Sequence, residues 1–108
     1  MKAVRFHEHG GPEVLKYEDA PDPKIQANEV LVRVKACALN HLDIWLRVGV
    51  RRWQLPMPRI VGSDISGEVA EVGSVVTRVK PGDRVMLCPG ISCGQCESCF
   101  KGLDSACR

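Results

Sequence analysis

The sequence predicts a mainly β domain, a barrel or sandwich with one short helix, and three observations carry that prediction. Apolar residues alternate at the period of a strand, Gly and Pro recur between short apolar runs, and one stretch alone carries helix start and stop signals. A chain of 108 residues supports one core and not two, so residues 1–108 are read as a single domain.

The clearest alternation spans residues 30–38. Val30, Val32, Val34, Ala36 and Ala38 would share one face, with Arg33 and Lys35 on the other, as in a half-buried strand. Residues 2–6 and 14–17 read as shorter strands separated by the Gly10-Gly11-Pro12 turn. Pro21 and Pro23 mark a surface loop. Asn40 offers a helix N-cap, Asp43 completes a capping box, and Gly49 stops the helix. Leu42, Trp45, Leu46 and Val48 supply its apolar face. Residues 51–58 read as a loop, and 68–72, bracketed by Gly67 and Gly73, as a strand. The Pro81-Gly82-Asp83 turn launches a last strand over 84–87.

Composition excludes several functions. Fifteen Lys and Arg against thirteen Asp and Glu give a net charge of +2, too near neutral for a dedicated nucleic-acid or membrane-surface binder. An aromatic share of 5% leaves few platforms for stacking bases. No apolar run approaches the ~20 residues of a membrane-spanning helix. The N-terminus meets charge at Lys2 and Arg5, before any signal-like apolar stretch, so the expected location is the cytoplasm.

The cysteines are unevenly placed. Cys37 and Cys88 stand apart, whereas Cys93, Cys96, Cys99 and Cys107 follow the spacing Cys-x2-Cys-x2-Cys-x7-Cys. Two-residue gaps let successive thiolates face one centre, and Gly94 and Gly102 permit the tight backbone this needs. Four thiolates around one ion make a closed tetrahedral site, favoured by zinc, with no open position for substrate. A [4Fe–4S] cluster fits less well, because its usual run closes with Cys-x3-Cys-Pro. Disulfides lack an export signal to accompany them. Unremarkable buried cysteines fit poorly beside Gln95, Glu97, Ser98, Lys101 and Asp104. One structural zinc in a lobe over 88–108 is the reading that remains.

The order of motifs then resembles a known family. Glu29-Val30-Leu31-Val32-Arg33-Val34, Ala38-Leu39-Asn40-His41-Leu42-Asp43, Gly62-Ser63-Asp64-Ile65-Ser66-Gly67, Val72-Gly73 and Lys80-Pro81-Gly82-Asp83-Arg84-Val85 precede the cysteine cluster. In this order they are similar to the start of the medium-chain dehydrogenase/reductase superfamily, the zinc-type alcohol dehydrogenases and quinone oxidoreductases. The resemblance implies a partly open GroES-like β-barrel, followed in a complete member by a Rossmann domain binding NAD or NADP. No Gly-x-Gly-x-x-Gly occurs in this chain, so no Rossmann domain is expected here, and the chain reads as a truncated N-terminal portion.

One departure matters. Zinc-dependent members carry Cys and His where this chain has Asn40 and Ser63, and an amide and a hydroxyl are poor zinc ligands. Cys37 lies three residues too early to replace the thiolate. A catalytic zinc is therefore not expected, which resembles the quinone-oxidoreductase side of the superfamily. By the same resemblance Asn40, Ser63 and Asp64 line the catalytic cleft, with capping an equal claim on Asn40, and His41 lies near the cofactor pyrophosphate. Asp43 matches a carboxylate behind the zinc ligands, and without those ligands its expected role is to cap or pair locally.

The remaining residues have blander expected roles. Cys37 and Cys88 are read as small buried hydrophobes, His7 and His9 as solvent-facing, and Trp45 as core. Arg51 and Arg52 read as a solvated loop pair, and Trp53 as a candidate pocket wall. The implied whole enzyme is a homo-oligomer that transfers hydride between nicotinamide and a small carbonyl, alcohol or enone. This chain alone is expected to be inactive. The competing reading is a free-standing zinc-stabilised β module for binding or interaction.

Overall fold

The computed structural model describes residues 1–50 and 54–107. Arg51, Arg52, Trp53 and Arg108 lie outside them, and with them the solvated loop pair and the pocket wall expected of the first three. Two open three-stranded antiparallel sheets make up the β structure. In the first, β1 (Lys2–Phe6) is central, flanked by β2 (Lys16–Asp19) and β4 (Arg59–Ile60). In the second, β5 (Asp64–Val72) is central, flanked by β3 (Val30–Ala38) and β6 (Arg84–Met86). Helix α1 (His41–Val48) follows β3, and α2 (Glu97–Phe100) sits in the cysteine lobe. The architecture is mainly β and open, with no closed barrel among the described residues.

The radius of gyration, 15.8 Å, exceeds the roughly 13 Å of a compact chain this long. Burial is correspondingly sparse: Phe6 and Val69 are the fully buried large side chains, with Ala3 and Ala20 beside them in the buried class. The sheets therefore rest largely on backbone pairing. Ala20 N–H donates to Met1 carbonyl at 2.9 Å, closing the β1–β2 ribbon. Across that ribbon Glu18 accepts from Arg5 and from His7 Nε2. These two partners, His7 first, hold the Glu18 carboxyl below the usual carboxylate range.

Several boundaries differ from expectation for local reasons. Strand β2 begins at Lys16, not residue 14, because Pro12 opens a 3-10 turn whose bonds run from Val14 N–H to Gly11 carbonyl and from Leu15 N–H to Pro12 carbonyl. Strand β5 begins at Asp64, not 68, because it is paired on both sides: Ser66 lies opposite Ala36 of β3 and Met86 of β6. The strict alternation expected along β3 is interrupted by register shifts at Leu31/Val32 and Val34/Ala36. Each inserted residue re-aims the side chains that follow. Consistent with this, Val34 is exposed although its periodicity reads as buried.

Helix α1 turns a different face inward than its apolar stripe suggests. Leu42, Trp45 and Val48 are exposed, Trp45 at 53%, and Asp43 is its one buried residue. Trp45 is thus not core; it packs edge-on against His41, ring centroids 4.9 Å apart. The reason is polar anchoring at both ends. At the C-terminal end Arg47 donates to Gly10 carbonyl at 2.6 Å, and Gly10 N–H donates to Arg47 carbonyl at 3.0 Å. His9 Nδ1 meets the Leu46 and Arg47 carbonyls at 3.0 and 3.3 Å. His7 and His9 are on the surface, as expected, but each is tied to a partner and does not simply face solvent. Cys37 and Cys88 are both exposed, against expectation, because their strand ends lack a covering layer among the described residues.

Candidate metal centre and polar cleft

The lobe from residue 88 to 107 contains no buried residue. Ile91, Phe100 and Leu103, its large apolar side chains, are 97%, 80% and 56% exposed, so apolar burial does not hold it together. Its order comes from turns. Gly94 and Gly102 sit at φ +70° and +72°, the left-handed region where a side chain is strained. Helix α2 carries Cys99 one turn beyond Cys96, and a 3-10 turn over Asp104–Ala106 returns Cys107 to the group.

The outcome is convergence. The sulfurs of Cys93, Cys96, Cys99 and Cys107 all lie within 4.8 Å of one another. Cys96 and Cys99 Sγ are 3.5 Å apart, and Cys93 and Cys99 Sγ 3.9 Å. Sulfurs placed ~2.3 Å from one tetrahedral zinc are ~3.8 Å apart, so the spacing suits a single ion. It is too long for disulfides, and all six cysteines are free.

Backbone amides aimed at the sulfurs prepare some of them for ligation. The Gln95 N–H, then that of Cys96, then the Cys107 and Cys96 thiols pull Cys93 down to about 6. The amide and thiol of Cys99 lower Cys96 as well. At Cys107 the Cys93 amide also pulls down, but the Cys93 thiol, burial, and the Cys99 and Cys96 thiols outweigh it and push the group up. Thiolate is the ligating form, so Cys93 is the thiol most nearly ready to bind metal at neutral pH.

The second constellation lies at the N-terminus of α1. Asn40 caps the helix in the expected capping box, and its N–H donates to Asp43 Oδ2 at 2.8 Å. The Asn40 side chain reaches across to β5, where Nδ2 donates to Asp64 Oδ2 at 2.7 Å. Capping and cleft roles for Asn40 are thus compatible. Ser63, between Gly62 and Asp64 in the chain, is exposed. His41 is one residue along, but its ring is engaged with Trp45. Asn40 and Asp64 are brought together, Ser63 precedes Asp64 in the chain, and His41 lines the same hollow as Asn40 with its ring against Trp45. What sequence reasoning missed is a third bond, Gly62 N–H donating to Asp43 Oδ1 at 2.9 Å. No local signal could reveal it, since the partners are 19 residues apart.

Comparison with known proteins identifies the domain. Residues 26–108 match the alcohol dehydrogenase GroES-like domain family. The quinone oxidoreductase of Mus musculus is 39% identical over 106 residues, covering 97% of this chain and 32% of its own. The crystal structure of an NAD-dependent alcohol dehydrogenase superposes with a TM-score of 0.93 at 50% identity, over 99% of this chain and 31% of its own. The cobalt- and zinc-bound thermostable alcohol dehydrogenase from Pyrobaculum aerophilum gives 0.88 at 37% identity, over 100% of this chain and 32% of its own. This chain therefore spans about a third of the length of these relatives. With the open β fold, the ordered motifs and the matched family all in agreement, the chain belongs to the alcohol dehydrogenase GroES-like domain family of the medium-chain dehydrogenase/reductase superfamily.

Proposed function

We propose that this chain forms the N-terminal catalytic-domain portion of an NAD(P)-dependent oxidoreductase acting on small carbonyl, alcohol or enone substrates. The observation that carries the reading is a division of ligands: four thiols gather in the lobe, while the cleft offers an amide, a hydroxyl and carboxylates. Cys93, Cys96, Cys99 and Cys107 would hold one zinc, which when bound supplies a cross-link for a lobe that lacks a core. The cleft set does not suit a catalytic zinc, because Asn40 and Ser63 are poor ligands and the Asn40 amide is already bonded to Asp64.

Nicotinamide, when bound, would supply the hydride to a carbonyl or enone, or accept it from an alcohol. The chain's own contribution is orientation. Asn40 Nδ2 carries two hydrogens and commits one to Asp64, so one remains for a substrate oxygen. Ser63 would offer an exposed hydroxyl next to Asp64 in the chain, and His41 a group for the cofactor phosphates. The whole enzyme would be a cytoplasmic homo-oligomer without nucleic-acid or membrane partners. Among the described residues, no helix is long and apolar enough to cross a membrane.

Metal analysis and a hydride-transfer assay on the 108-residue chain test this reading together. About one zinc per chain, no visible colour and no turnover with NADH or NADPH are expected. Turnover by this chain alone, or thiols without zinc in freshly purified protein, overturns it. A coloured protein with iron overturns the zinc assignment.

A further inference from the structure

Asp43 is the buried ionisable side chain of the described residues, 8% exposed. Its two oxygens serve two backbone amides from different arms of the cleft. Oδ2 accepts from Asn40, which opens α1, and Oδ1 accepts from Gly62, which leads into β5. Only a carboxylate does this well: it accepts on both oxygens, whereas an amide would turn N–H groups toward one of the donors. A buried carboxylate deprived of either bond also loses more than that bond's net worth.

The consequence appears one step further out. The Asn40 side chain and Asp64, two residues beyond Gly62, meet at 2.7 Å. Asp43 takes no part in that bond. It places the two backbones from which the bond is made. Each member of the pair lines a hollow: Asn40, with His41 and Ile44, one of about 260 Å³, and Asp64, with Ile65 and Leu87, another of about 620 Å³.

We infer that Asp43 is the positioning residue of the cleft, a buried clamp that sets the Asn40–Asp64 pair as a preformed polar unit lining these hollows. The clamp serves the substrate oxygen that the pair would receive: with both backbones fixed, the remaining Asn40 N–H is presented without reorganisation when a carbonyl or hydroxyl arrives. This role rests on the reading of Asn40 and Asp64 as cleft residues.

Solution NMR on the zinc-loaded 108-residue chain tests it, comparing wild type with Asp43→Asn, Asp43→Ala and Asp64→Asn. Asp43→Asn is expected to speed hydrogen exchange at the Gly62 or Asn40 amide by roughly ten- to a hundred-fold, the loss of one charged hydrogen bond. It should also shift the Asn40 side-chain amide resonance toward its position in Asp64→Asn, while β1, β2 and the cysteine lobe keep their wild-type spectra. An Asn40 side-chain resonance that stays in place while Gly62 exchange accelerates overturns the inference, since Asp43 would then hold backbone only. A change spread evenly over both sheets, or failure of both Asp43 variants to fold, overturns it too, as the mark of a general stabilising group. The measurement needs no cofactor and no turnover. An unexpected activity of the chain would therefore sink the proposed function and leave this result intact.

Discussion

The cysteine lobe and the α1 cleft gather polar side chains at similar distances, yet they do so in opposite ways. In the lobe, four soft donors face one another, their cohesion supplied by turns and not by burial. In the cleft, donors and acceptors are matched: Asp43 with two amides, Asn40 with Asp64. The first arrangement is incomplete without an ion, because thiolates crowded together repel. The second is complete in itself and needs no metal to hold its shape. A chain can thus gather a set of metal-ligating thiols in one region and a self-satisfied hydrogen-bonded set a few turns away.

The largest expected effect breaks the lobe. Cys99→Ser removes the thiol nearest both Cys93 and Cys96, so zinc content should fall from about one per chain to near zero, and the lobe should lose its ordered resonances. Zinc binding in small peptides contributes on the order of 10 kcal/mol, and little else in this lobe replaces it. The cleft should be untouched, with the Asn40 side-chain amide unmoved in the same spectrum. If both regions collapse together, the contrast between them fails.

Acid should separate the two regions next. All four thiols must be deprotonated to bind metal, so zinc affinity, followed by competition with a chelator, should fall as pH drops. Cys107, pushed up, is protonated before Cys96 and Cys93, which are pulled down, Cys93 to about 6. In the metal-free chain the lowered Cys93 contributes stability that is full above its ordinary thiol range and is lost as pH falls through about 6. Ultraviolet thiolate absorbance during a titration reads this order, and a single ionisation shared equally by all four would contradict it.

Smaller effects sharpen the cleft side of the comparison. Gly62→Ala places a side chain at φ +88°, its Cβ 2.5 Å from Cys37 Sγ, and should cost about 1–3 kcal/mol in urea unfolding. Zinc content should not change. The least effect is expected of His9→Ala, which removes the imidazole from the α1 carbonyls and should lower stability by about 0.3–1 kcal/mol. The loss should be felt in α1 and not in the lobe.

Much of the fold was legible because its signals are local. The strand at Lys2–Phe6, the bounds Val30–Ala38, and the start at Asn40 and stop at Gly49 of α1 all follow from side-chain period, capping chemistry and glycine placement. The thiol cluster was legible for the same reason, since its spacing over a short stretch already constrains the ligands to one centre. Trp45 was misread because an apolar stripe reports only that a face can be buried, and the hydrogen bonds that Asp43 accepts and Arg47 donates settled which face is. Cys37 and Cys88 were misread because burial depends on what covers a strand end.

The sequence by itself determined which residues could bind a metal and which elements would form, because spacing and propensity act within a few residues. Only the tertiary structure decided that Asp43 would join Asn40 to Gly62, and that Asn40 would spend an N–H on Asp64. Those bonds join segments about twenty residues apart, and their existence depends on chain paths that no local pattern encodes.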